Sequence, residues 1–322
     1  MSIAFLFPGL GSQRPGMLHR LPDTAASATV LAEAEWGHPG GVAELDTAAS
    51  LEESEVARHV SLLIAGVAGA RALIEDEEVQ PSYVAGHGLG GYAAAVVADV
   101  LTFEEALRAV RLRAELLERG EESEHDIGIR LAQHLATIKR RPQGLPYVTS
   151  TEGRCLRGET NAVFDDLARS VARPVLWDEM IAALRTEGAE TFVELPPGRV
   201  LTERLAETDD APRAVSVEER GIAEAAEYAR GEEGPVMWPE MGAEMGAEEA
   251  PEAGLEPGPV PGSVPGPVPG SAPGSAPGPV PGSAPGPIPG SAPGSVPGPV
   301  PGSAPGSVPG PEVWPEPPRP EA

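Results

Sequence analysis

The residues best placed to do chemistry sit in a short glycine-rich turn, Gly86-His87-Gly88-Leu89-Gly90. It follows the apolar run Ser82-Tyr83-Val84-Ala85, read as a strand, and precedes an alanine-rich run over 92–100, read as a helix. Strand, sharp turn and helix together are the layout of a nucleophile elbow, G-x-S-x-G. Flanking glycines let the turn close between crowded strands, and the helix amides face a developing oxyanion. Both flanking glycines are present here, but Gly88 stands where the hydroxyl should be. Glycine has no side chain to acylate, so a covalent route stops at its first step. The rival reading is a phosphate-binding loop, but no Lys-Ser/Thr pair follows for a P-loop. His87 reads as a packing or hydrogen-bonding group beneath the turn. Cys155 is the single cysteine, so an internal disulfide or a cysteine-based metal site is not expected, and it reads as an inert, partly buried thiol. No metal site is expected elsewhere, because no Cys/His cluster exists.

The elements that would position this turn alternate in type. Ile3 to Phe7 is an apolar run ending at Pro8-Gly9, a buried strand entering a loop. Residues 51–76 carry Val60, Leu63, Ile64, Val67, Ala68 and Leu73 at helical spacing and predict one core helix. Thr102 with Glu105 three residues on forms a capping box for a helix running to about Leu116 or Leu117. Residues 118–126 are polar and predict a loop, followed by a weaker helix over 127–138. Strands are expected at 145–148, 191–195 and 214–217, and helices at 176–187, 199–206 and 222–229. Such alternation implies an α/β-hydrolase-like layered domain, with a mostly parallel sheet covered on both faces.

Four ordered segments give the turn a family context. They are Phe5-Leu6-Phe7-Pro8-Gly9-Leu10-Gly11-Ser12-Gln13, Val84 to Ala94, Ala172-Arg173-Pro174-Val175-Leu176-Trp177, and Phe192 to Thr202 with its Leu-Pro-Pro-Gly. Over about 230 residues the chain thereby resembles the malonyl-CoA:acyl-carrier-protein transacylases. The Leu-Pro-Pro-Gly form and the opening Arg-Pro-Gly-Met-Leu-His are most similar to the transacylase subunit of malonate decarboxylase. The resemblance implies a ping-pong transfer of a malonyl group from a coenzyme A thioester to a phosphopantetheine thiol, and no other cofactor. Malonyl-CoA and an acyl carrier protein, or a malonate decarboxylase carrier subunit, are then the implied partners.

Carried over position by position, the family's serine falls on Gly88 and its carboxylate-binding arginine on Arg113, whose guanidinium can grip both carboxylate oxygens. The oxyanion amides fall on Leu10 and Leu89; the family usually has glutamine at Leu10, a change that a backbone donor survives. The small ferredoxin-like subdomain that the family inserts after the arginine helix is missing near 118–125. Ser123-Glu124-His125 resembles the motif beyond that insertion and makes His125 the candidate general base. His134, mid-helix, is the runner-up. Plain alternatives stay open: Arg113 as a surface arginine on an amphipathic helix, and His125 as a solvated residue among acids. A noncatalytic binding module for acyl-CoA or carrier protein, or a decayed pseudoenzyme, are the corresponding alternatives for the whole chain.

Composition divides the chain into a domain over 1–230, an acidic linker over 231–256 and a repeat tail over 257–322. The linker carries many glutamates and no basic residue. The tail repeats Pro-Gly-(Ser or Pro)-(Ala, Val or Ile) from Pro257 to Val308. It has too little side chain to offset its ordering entropy, so disorder with polyproline II and transient turns is expected. The formal charge of −26 argues against nucleic acid or anionic membrane as partner. The apolar N-terminus lacks a basic segment and a small-residue cleavage site, and no stretch is read as a membrane span, so a cytoplasmic location is expected.

Overall fold

A computed structural model describes residues 1–208 and 210–232. Most of the acidic linker and the whole repeat tail lie outside the described residues. The elements are β1 (Ile3–Phe7), α1 (Ala25–Gly37), α2 (Ala48–Glu53), α3 (Glu55–Arg71), β2 (Tyr83–Gly86), α4 (Gly91–Val97), α5 (Phe103–Arg119) and α6 (Glu124–Ala136). They continue with β3 (Tyr147–Val148), β4 (Cys155–Leu156), α7 (Thr160–Arg169), α8 (Trp177–Thr186), β5 (Thr191–Glu194), α9 (Val200–Ala206), β6 (Arg213–Ser216), α10 (Val217–Arg220) and α11 (Ile222–Arg230).

The strands form one sheet in the order β4-β3-β2-β1-β5-β6. Every neighbouring pair is parallel except β3 with β4. Side chains alternate across a strand, and β1 shows the consequence. Ile3, Phe5 and Phe7 enter the larger core with α3, α4 and α5, while Ala4 and Leu6 enter a smaller one. The smaller core is closed by Trp177, Met180, Ile181 and Leu184 of α8 and by Leu201 and Leu205 of α9. The mostly parallel layered α/β fold expected from the alternation is thus present. Elbow and opening loop leave the carboxyl ends of two adjacent strands, β2 and β1.

Several boundaries differ from expectation for local reasons. The helix predicted over 51–76 is interrupted at Ser54, whose backbone is extended and whose side chain accepts from the Ala57 N–H, capping α3. A π-helical turn over Ala72–Asp76 ends that stretch. By length and composition the stretch Glu55–Asp76 could cross a membrane, contrary to the reading that none does, but 83% of its most apolar window is buried inside the fold. The capping box at Thr102 and Glu105 forms as predicted, and α5 runs on to an αL glycine, Gly120. The loop predicted over 118–126 is shorter, because Ser123 caps α6 by accepting from the Asp126 N–H, and the helix begins at Glu124.

Two buried carboxylates brace the loops around the sheet's carboxyl edge. Asp166 of α7 accepts from the Tyr147 hydroxyl at 2.8 Å, the Ser150 N–H at 3.1 Å and the Thr151 N–H and hydroxyl at 2.9 and 2.7 Å. Glu194, ending β5, accepts from the Leu201 N–H at 3.1 Å and from the Thr202 N–H and hydroxyl, both at 2.7 Å. The Phe192–Thr202 motif is therefore a structural brace: its acid holds the start of α9. Burial pushes the Glu194 carboxyl above its ordinary range.

Candidate functional site

The turn after β2 has the backbone of an elbow. Three 3₁₀ residues, Gly88–Gly90, join β2 to α4, and Gly88 holds a left-handed conformation with φ +58°. The glycines differ in what they permit. A Cβ at Gly86 would lie 2.1 Å from the Gly90 carbonyl carbon, and one at Gly90 would lie 2.2 Å from the Phe7 carbonyl oxygen. A Cβ at Gly88 would meet only Val175, at 3.4 Å. The flanking glycines are thus demanded by close backbone approach, whereas Gly88 has room for a side chain at the cost of a left-handed backbone.

The opening loop presses against this turn. The His87 N–H donates to the Phe7 carbonyl at 2.9 Å, and a Cβ at Gly9 would lie 2.3 Å from the His87 carbonyl oxygen. Leu10 and Leu89 thus leave adjacent strand ends; Leu10 is exposed and Leu89 is buried. His87 is half-buried, its ring 6.1 Å from that of Trp177. Burial and then the charge of Arg204 push its pKa below the ordinary histidine value.

Arg113 is not a surface arginine. It is buried on α5, donating through Nη1 to the Ser170 hydroxyl at 2.7 Å and through Nη2 to the Ser170 carbonyl at 3.4 Å. Tyr92, whose hydroxyl donates to the Leu167 carbonyl at 3.2 Å, lies close enough to act on its charge. Burial lowers the guanidinium pKa, opposed mainly by Tyr92 and by the charges of Glu124 and Glu55.

His125 lies in the first turn of α6, not in a loop, and is exposed. It lines a cavity of about 260 Å³ between α6 and α7, together with Ile129, Asp165, Arg169 and Arg173. Neither Gly88 nor Arg113 lines that cavity. His134 sits in the last turn of α6 rather than mid-helix. Cys155 is half-buried in β4, and burial raises its thiol pKa.

The segment from Ser170 to Trp177 touches four of these positions. Between α7 and α8, Ser170 holds Arg113, Ala172 and Arg173 border the His125 cavity, Val175 faces Gly88, and Trp177 stands beside His87. The motif Ala172–Trp177 is the common wall of the candidate site. Sequence reading missed Ser170 and Tyr92, because their role is a burial partnership that no spacing rule encodes. Among the described residues no group of three or more His, Cys, Asp or Glu side chains could hold a metal ion.

Comparison with known proteins agrees with this architecture. Residues 4–125 match the acyl transferase domain family. A polyketide biosynthesis malonyl CoA-acyl carrier protein transacylase of Bacillus subtilis (strain 168) is 35% identical over 115 residues, which cover 36% of this chain and 40% of that protein. The chain therefore spans less than half of that relative's length. The malonyl CoA-acyl carrier protein transacylase of Escherichia coli (strain K12) is 24% identical over 285 aligned positions, covering 62% of this chain and 90% of that protein. Among solved structures, FabD from Acinetobacter baumannii superposes with a TM-score of 0.64 at 18% identity, covering 72% of this chain and 99% of that one. The malonyl-CoA:ACP transacylase of Synechocystis sp. PCC 6803 gives 0.63 at 20% identity, covering 70% and 100%. At these identities the two structures establish the fold.

Proposed function

We propose that this chain, an acyl transferase domain homologue over residues 4–125, is a malonyl-CoA:acyl-carrier-protein S-malonyltransferase homologue whose transfer chemistry is disabled at Gly88. In the complete reaction a serine oxygen bonds the thioester carbonyl carbon, and its proton passes through a histidine to the departing coenzyme A sulfur. A phosphopantetheine thiol then takes the acyl group from the serine. The observation that carries the reading is the elbow backbone: a left-handed Gly88 with room for a Cβ, between two glycines that have none. Without the hydroxyl no ester can form, and loss of a comparable nucleophile costs on the order of a millionfold in turnover.

The remaining parts have the proposed roles of carboxylate recognition at Arg113 and oxyanion donation at the Leu10 and Leu89 amides; His125, exposed and lining a cavity that Gly88 does not share, is not placed to act as general base in this conformation. Residues 120–123 alone join α5 to α6. The 285-position alignment that uses only 62% of this chain leaves part of the Escherichia coli protein without a counterpart. Both support the absence of an inserted small subdomain. A second reading, a noncatalytic module that binds acyl-CoA or a carrier protein, is favoured by a buried guanidinium that keeps its place beside the elbow without the nucleophile it would serve. The test is to incubate the full chain with malonyl-CoA and a phosphopantetheinylated acyl carrier protein and to weigh the carrier. Impairment predicts no malonyl-carrier above the protein-free control, and retained binding predicts saturable association of malonyl-CoA in the same mixture. Formation of malonyl-carrier at an enzymatic rate would refute the reading.

A further inference from the structure

Trp36, on α1, is 91% exposed, whereas Trp177 is 5% exposed. A tryptophan left in water forgoes the burial that makes this side chain valuable in a core or an interface. It ends a stripe along one face of α1, where Thr29, Ala32, Glu33 and Trp36 recur at helical spacing. That face helps to line a cavity of about 880 Å³. Val96, Leu101 and Phe103, from the end of α4 and the start of α5, bring buried apolar surface to the same cavity.

The charges around this groove differ in what they already hold. Arg71 donates to Glu33 at 2.9 Å, and Arg141 grips Glu105 through both terminal nitrogens at 2.6 and 3.0 Å. Both lining arginines are therefore committed to acids of the protein itself. Glu104 pairs with Arg108 at 3.2 Å, and both side chains are exposed, a pairing worth little in water. The Asp99 carboxylate has no hydrogen bond or ion pair among the described residues. Its backbone is left-handed, with φ 60°, a conformation that Asp and Asn accept better than other side chains. Gly144 leaves room for it: a Cβ there would lie 2.4 Å from Asp99 Oδ2. The groove is thus apolar within, carries one bare indole, and is negative in the charge left free.

We propose that this groove is a docking site for an arginine-bearing segment of a partner protein. The guanidinium stacks on the Trp36 ring and donates to the Asp99 carboxylate, while an adjacent apolar side chain covers Val96, Leu101 and Phe103. A guanidinium serves both contacts because it is planar and weakly hydrated; a lysine ammonium is a compact, strongly hydrated charge. The rest of the chain is the wrong occupant on charge, since residues 233–322 hold one basic residue, Arg319, among many glutamates. No residue of the elbow turn lines the groove, so docking here is independent of any transfer chemistry.

The test is NMR titration of the isotope-labelled full chain with a short blocked peptide of alternating arginine and leucine. The same peptide with lysine or citrulline in place of arginine, and spermidine, serve as comparisons. The Trp36 indole N–H signal is identified by its loss in Trp36→Ala. The arginine peptide should shift that signal saturably and bind about tenfold tighter than the citrulline peptide, and at least about threefold tighter than the lysine peptide. Trp36→Ala and Asp99→Asn should each weaken binding by about fivefold or more. Both positions are exposed, so neither substitution removes core packing, and the amide spectrum verifies the fold. No saturable shift at Trp36, equal binding of the lysine peptide or of spermidine, or unchanged affinity in both variants overturns the proposal. Tighter binding of the arginine peptide by Arg319→Ala would mark the chain's own arginine as the occupant and overturn the assignment to a partner.

Discussion

Replacing His59 by glutamine while lowering the pH measures how much the α3–α5 contact depends on a neutral imidazole. Burial, and then the charge of Arg113, lower the His59 pKa from 6.5 to about 4. The unfolded chain therefore binds this proton first as the pH falls. The contribution is fully present above pH 6.5, is lost progressively down to about pH 4, and is constant below that. At about 1.4 kcal/mol per pH unit, that window corresponds to about 3 kcal/mol, a large fraction of a typical domain's stability. His38, His87 and His134 are also lowered and act in the same direction. Glu194, raised by burial, opposes them, since its contribution grows as the pH falls. The difference between parent and variant isolates His59 from this background. Urea denaturation of both full chains between pH 7.5 and 4 should show the parent losing about 3 kcal/mol more than His59→Gln. Parallel pH profiles would refute the placement of a neutral, buried His59 beside Arg113.

Other substitutions separate the structural roles argued above. Gly90→Ala, driving a Cβ to 2.2 Å from the Phe7 carbonyl oxygen, should destabilise by about 3 kcal/mol or more. Gly88→Ala meets only the left-handed backbone and should cost about 1–2 kcal/mol; thermal melts in which Gly88→Ala proves the more damaging would contradict the elbow geometry. Asp166→Ala strands the Tyr147 hydroxyl and the Ser150 and Thr151 amides and should lower stability by at least about 3 kcal/mol, checked by denaturant titration. Glu194→Gln replaces a charged acceptor of three hydrogen bonds and should loosen α9, seen as faster amide exchange over 201–206 than over α5.

Much of the fold was legible because it rests on local patterns. The run at Ile3–Phe7, the capping box at Thr102 and the glycine turn after Val84 each encode their own geometry. What escaped was set by tertiary partners. Ser54 interrupts a continuous apolar periodicity because its side chain caps the next helix, and α1 was passed over because its apolar residues follow almost no helical period. The two-residue strand β4 exists by pairing antiparallel with β3, a contact with no sequence signature. At the site, the elbow and the segment 172–177 were legible as motifs, whereas the burial of Arg113 against Ser170 was not. An arginine in an amphipathic helix reads the same from sequence whether its guanidinium meets water or a serine just past the end of another helix.

The most direct test of the central claim weighs the intact full chain and its Gly88→Ser variant after incubation with malonyl-CoA. The account predicts no adduct on the parent and one hydroxylamine-labile malonyl group on the variant, attached to the hydroxyl that the substitution introduces into the elbow. A malonyl adduct on the parent chain, or a folded Gly88→Ser protein that stays unlabelled, would contradict the claim that the elbow is intact and lacks only its hydroxyl.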